Sequence, residues 1–120
     1  MSGLRAFHVT ERETAALILK EGFLGGWGDV GFGVYFWTNE QVCRTYANHG
    51  GWDGLATNPV ILEVIDPSLI PIDLSELPAG WNRELYASML WRPLDEEDSE
   101  RAWRPEVLRL LDETTTEPGP

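Results

Sequence analysis

Cysteine is almost missing from this chain. Cys43 is its only thiol, so no intrachain disulfide can form, which suits a reducing compartment or a protein without redox constraint. Thiol and imidazole side chains that could hold a metal are also sparse. Cys43, His8 and His49 stand at no ligand spacing, so no metal is expected. No apolar run approaches the roughly 20 residues needed to cross a bilayer. The N-terminus lacks the basic region and long apolar stretch of a secretory signal. These absences point to a cytoplasmic protein away from membranes. Bases are scarce too: 9 Lys and Arg face 20 Asp and Glu, for a formal charge of −11. Such a surface repels phosphate backbones and argues against general nucleic-acid binding. The imbalance concentrates in residues 61–120, with fourteen acids against five bases. That half either confers solubility or docks on a basic protein partner.

What is present suits one domain. Hydrophobic residues make up 42% of 120 residues, enough for a single core. The domain is expected over residues 1–111, with 112–120 a disordered tail that lacks apolar anchors. Leu4 to Thr10 reads as a strand, with Leu4, Ala6 and His8 on one face and Arg5, Phe7 and Val9 on the other. Thr10 and Glu13 have capping-box spacing for a helix whose apolar side carries Ala15, Ile18, Leu19 and Phe23 and which Gly22 ends in a left-handed turn. Five glycines between Gly25 and Gly33 read as a loop. Val34 to Thr38 is a second strand rich in β-favouring types. Thr38 and Gln41 form another capping box, opening a helix to about Ala47 that holds Cys43 as a small buried residue. Residues 48–54 form a loop. Val60 to Ile65, apolar on both faces except at Glu63, is a central strand that Asp66-Pro67 ends. Leu69 to Leu74 is a short edge strand, Trp81 to Trp91 a helix, and Asp95 to Asp98 a solvated acidic turn. Glu106 to Leu111 is either a strand or a helical end.

The order that results is a strand with His, a helix, a glycine-rich segment, a strand with Tyr, a helix with a second Tyr, and an apolar strand. Three pieces carry chemistry: His8-Val9-Thr10, Gly33-Val34-Tyr35-Phe36, and Tyr46. Each has a plain structural reading. His8 can be a satisfied strand histidine, Thr10 a helix cap, and Tyr35 and Tyr46 core aromatics. Together, in this order and at these distances, residues 5–75 resemble the NAD-binding half of ADP-ribosyltransferases of the diphtheria-toxin and poly(ADP-ribose) polymerase type, a class named for its His, Tyr and Glu.

The resemblance implies an α+β fold built on a split mixed β-sheet with short flanking helices. It implies NAD as the substrate, cleavage of its nicotinamide–ribose bond, and transfer of ADP-ribose to a macromolecular acceptor, protein or nucleic acid, in the setting of a toxin or effector. Tyr35 and Tyr46 would sandwich the nicotinamide ring. His8 would donate to a ribose hydroxyl, the backbone at Val9 would hold the carboxamide, and Thr10 would add a hydroxyl. Gly33 and its neighbours would let backbone approach the ligand. Two departures stand out. Val9 follows the histidine where the family often has Gly, so its side chain must point away from the ligand. The catalytic acid lacks a distinctive motif; Glu106 is the first candidate and Glu84 the second. Without a working acid, the same fold would serve as a module that binds NAD or ADP-ribose, or as a protein-interaction module. A third reading makes the chain a purely structural interaction protein.

Overall fold

The fold is that of a computed structural model in which residues 3–28, 30–48, 58–80, 82–98 and 101–111 are described. Its strands are β1 (Leu4–Glu11), β2 (Gly26–Gly28), β3 (Gly31–Trp37), β4 (Pro59–Asp66), β5 (Ile70–Pro71), β6 (Met89–Pro93) and β7 (Val107–Leu110). Its helices are α1 (Arg12–Glu21), α2 (Glu40–Asn48) and the single turn α3 (Arg83–Tyr86). The strands form one sheet in the order β5-β6-β3-β1-β4-β7, with β2 added to β3. The α+β class holds, but the sheet is not mixed: every described strand pairing is antiparallel.

The period-2 pattern of β1 sorts the core into two layers. Ala6 joins Val34, Phe36, Leu62, Val64 and Leu90 on one face, which α1 covers with Ala15 and Ile18 and which Phe23 and Trp103 close. Phe7 and Val9 join Trp37 and Ile61 on the other, beneath Cys43 and Ala47 of α2. Strand β4 lies between β1 and β7 and is buried on both faces, as its unbroken apolar run requires. Of its two acids, Glu63 is 1% exposed and is held by Arg5 and, at 2.5 Å, by Arg109. Burial alone would raise the Glu63 carboxyl, but the bonds and charges of the two arginines outweigh it and hold the group below its usual range. Arg5 also reaches Glu40, which Arg44 binds one helical turn away. This chain of charges ties α2 to the sheet.

Several boundaries differ from the sequence reading, each for a local reason. Strand β1 runs on through Thr10 to Glu11, pairing with Val60 and Pro59, so Thr10 is not the cap of α1. The cap is Glu11, whose side chain makes no capping bond. Asn39, not Thr38, caps α2: its Oδ1 accepts from the N–H groups of Gln41 and Val42. Gly22 ends α1 at φ +100° and ψ −176°, an extended positive-φ region open almost only to glycine rather than the left-handed helical one. The glycine-rich stretch is a hairpin, with Gly26, Trp27 and Gly28 paired to Gly33, Phe32 and Gly31. The helix expected over Trp81 to Trp91 stops after one turn, and its second half is β6, which pairs along β3 from Trp37 to Gly33. The edge strand shrinks to Ile70–Pro71, and the final apolar run is a strand, β7. The loop at 49–54 and the tail at 112–120 lie outside the described residues.

Candidate functional site

The site is a gap in the sheet between β1 and β3. Backbone parity locates it. Just past the Glu11↔Pro59 pair, the Arg12 N–H donates to the Asn58 carbonyl at 3.1 Å. Even-numbered residues of β1 therefore exchange hydrogen bonds with β4, and odd-numbered ones turn their N–H and C=O towards β3. On β3, Thr38 N–H donates to Ser88 and Leu94 N–H to the Phe32 carbonyl. Even-numbered residues there bond β6, and odd-numbered ones face β1 and β2.

The two facing edges pair only at Phe7↔Trp37. Continuing that register would set Val9 opposite Tyr35, but the ladder stops one step earlier. The His8 imidazole takes over: its Nδ1 lies 2.9 Å from the Tyr35 carbonyl oxygen. It thus bonds the same carbonyl that the Val9 N–H would use in a closed sheet. Backbone parity turns the Val9 N–H and C=O, an adjacent donor and acceptor, towards β3. The Val9 side chain is 5% exposed and packs with Phe7, Trp37 and Ile61, so it points into the α2 layer, the face that also carries Tyr46.

A carbonyl oxygen can only accept, so Nδ1 carries the proton. Burial lowers the His8 pKa and outweighs the opposing bond to Tyr35, so the ring is neutral at pH 7 and Nε2 is an acceptor. In this state Nε2 can accept from a hydroxyl but not donate to one, the reverse of the expected role. The ring packs against Phe23 edge-on at 5.2 Å and against Phe36 at 5.6 Å. Thr10, two residues along β1, shares the face of His8, and its hydroxyl is not consumed by a cap.

The tyrosines sit on the α2 face. Tyr35 stacks on Trp91 at 5.4 Å and 24°; its hydroxyl donates to the Gly31 carbonyl and accepts from the Val30 N–H. Gly28 lies against its ring, where a Cβ would come within 2.3 Å of the ring edge. Tyr46 packs on Trp37 at 5.0 Å. Both expected platform residues therefore have a tryptophan partner, which the sequence reading did not assign. Gly33 has a different job from the one expected. A Cβ there would lie 2.3 Å from the Arg92 carbonyl oxygen of β6, so the glycine admits the neighbouring strand rather than a ligand.

Glu106 is not brought to the split. Glu106 is exposed, one residue before the Ile65↔Val107 pair, and its N–H donates to Asp66 Oδ2 at 2.8 Å. Asp66 pairs with Leu4 and Leu62 with His8, so Glu106 is displaced by four residues, roughly 13 Å along the strands, and by two strand spacings. Asp66 is the functional partner here: its carboxylate, which burial would raise, is held low by Ser68 and by the Glu106 N–H and anchors the start of β7. Glu84 is exposed on α3. The strand beside Tyr35, β6, reads Met-Leu-Trp-Arg-Pro and carries no acid. Cys43 is fully buried and burial pushes its thiol up to about 12, so it is no nucleophile. Among the described residues, no three His, Cys, Asp or Glu side chains converge as a metal site, and no helix is long and apolar enough to cross a membrane. No family model matches this chain, and no curated protein or solved structure matches it.

Proposed function

We propose that the β1–β3 split binds NAD and that the chain is an ADP-ribosyltransferase-type domain acting on a macromolecular acceptor. The observation that carries this reading is the interrupted ladder: pairing stops at Phe7↔Trp37, His8 donates to the Tyr35 carbonyl, and parity turns the Val9 N–H and C=O the same way, the donor and acceptor that a carboxamide needs. The neutral His8 accepts from a ribose hydroxyl and Thr10 adds a second hydroxyl on the same face. Tyr35 and Tyr46 offer aromatic surface on the other. In the reaction, the ribose–nitrogen bond breaks, its electron pair leaves with the pyridinium nitrogen as neutral nicotinamide, and the acceptor's nucleophile bonds the ribose carbon and loses its proton. Departure of nicotinamide needs no proton donor, so an electrostatically prepared cleft contributes even without a carboxylate.

The position of Glu106 favours a second reading on the same cleft, a module that binds NAD or ADP-ribose without turnover. Nicotinamide release and the melting midpoint with and without NAD separate the two. A ligand that binds only the folded state raises the midpoint. We expect NAD to raise it for the wild type and for Glu106→Gln, and to lose that effect in His8→Gln. Release by the wild type that Glu106→Gln leaves unchanged supports the transferase and removes Glu106 from its chemistry. A raised midpoint without release makes the chain a binding module. An unmoved midpoint sinks both.

A further inference from the structure

Away from the β1–β3 split, a cavity of about 200 Å³ opens between the α1–β2 connection and the segment after β6. Its walls are Leu24, Leu94, Ala102 and Trp103, with Arg92 laid over the Trp103 ring at 5.7 Å. Asp95, Asp98 and Arg101 also line it. The apolar surface continues outward. Phe32 accepts the Leu94 N–H on its carbonyl and meets Trp27 ring to edge at 5.7 Å. Trp27 is 70% exposed and Leu24 53%. The Trp27 indole N–H donates to Glu96 at 3.3 Å, which ties the exposed ring to the acidic turn.

We propose that this surface docks a basic segment of a protein partner, whose one large apolar side chain fills the cavity. Size decides against a whole small molecule: pockets that bury drug-sized ligands run roughly 300–1,000 Å³, whereas about 200 Å³ suits a single aliphatic or aromatic anchor. Tryptophan is the residue type most enriched where binding energy concentrates, and a ring this exposed next to a lined cavity gains by being covered. Charge selects the partner. Asp95, Glu96, Glu97 and Asp98 are consecutive and all exposed, against Arg92 and Arg101 at the cavity. Lysines and arginines flanking the anchor would meet that acidic turn and steer the encounter. The site does not rest on NAD binding, since none of these residues lines the split.

The test is fluorescence polarisation of a labelled lysine- and arginine-rich peptide with one central leucine, compared with the same peptide carrying serine at the centre. Trp27→Ala and the double variant Glu97→Gln/Asp98→Gln alter exposed side chains, and an unchanged melting midpoint confirms that they fold. We expect the leucine peptide to bind, to weaken as salt rises, and to lose about tenfold in affinity with each variant. The serine peptide should bind about tenfold more weakly. No binding of the leucine peptide, equal binding of the two peptides, or indifference to Trp27→Ala overturns the proposal. The midpoint shift by NAD, measured on the same variants, reports separately on the split.

Discussion

At the scale of single residues, His8 is the most consequential group. It closes the sheet where the backbone does not, and it does so as a neutral ring. Burial lowers its pKa below the ordinary 6.5. The unfolded chain therefore takes up this proton first as pH falls, and stability drops with pH from about 6.5 down to the lower folded value, then levels. Urea melts across that range should show this slope in the wild type, and its loss in His8→Gln. A slope that survives the substitution would mean that another group carries it and that His8 binds its proton as readily folded as unfolded.

At the scale of elements, the β2–β3 hairpin and β6 decide the geometry around Tyr35. Glycine serves different ends within that hairpin. At Gly33 a Cβ would press on the Arg92 carbonyl, whereas at Gly26 it would meet nothing within 4 Å. Gly33→Ala should cost roughly 2–3 kcal/mol, the upper part of the overpacking range, and Gly26→Ala should stay within about 0.5 kcal/mol. Denaturation midpoints of the two variants check the contrast; equal costs would mean β6 does not pack as described. The hairpin was hidden in the sequence because five glycines read as punctuation, and pairing with β3 supplies what their β-propensity lacks. Likewise Trp81 to Trp91 carries no period strong enough to show that α3 ends at Tyr86; β6 forms because the edge of β3 recruits it. Thr10 reads as a cap because capping-box spacing is local, while the pairing that extends β1 past it comes from β4.

At the scale of the molecule, the carboxylates set the acid limit. Glu63 and Asp66 are buried and held below their usual ranges by Arg5, Arg109 and Ser68. Their contribution is present above the ordinary carboxylate pKa near 4 and is lost as pH falls through the lowered folded values. Glu63→Gln should remove about 1–3 kcal/mol at neutral pH, because the arginines left behind are themselves half in water. The loss should shrink as the wild type approaches its own acid transition. Acid titrations followed by circular dichroism compare the two. Together with His8, this makes stability rise with pH up to about 6.5.

By itself the sequence determined the class, most strands and both core faces. Those follow from alternation and burial, which are written in neighbouring residues: Phe7 and Val9 against Ala6 and His8, or the apolar run of β4. It also assembled His8, Val9, Thr10, Tyr35 and Tyr46 as candidates. Only the tertiary structure decided how they meet. Whether β1 and β3 pair beyond Phe7↔Trp37 depends on strands distant in the chain, and so does the parity that turns Val9 towards the split. The place of Glu106 was equally out of reach, because a strand-start acid looks the same from sequence whichever neighbour its strand joins. Here β7 pairs with β4 rather than with β3, and that pairing carries Glu106 to Asp66 and away from Tyr35.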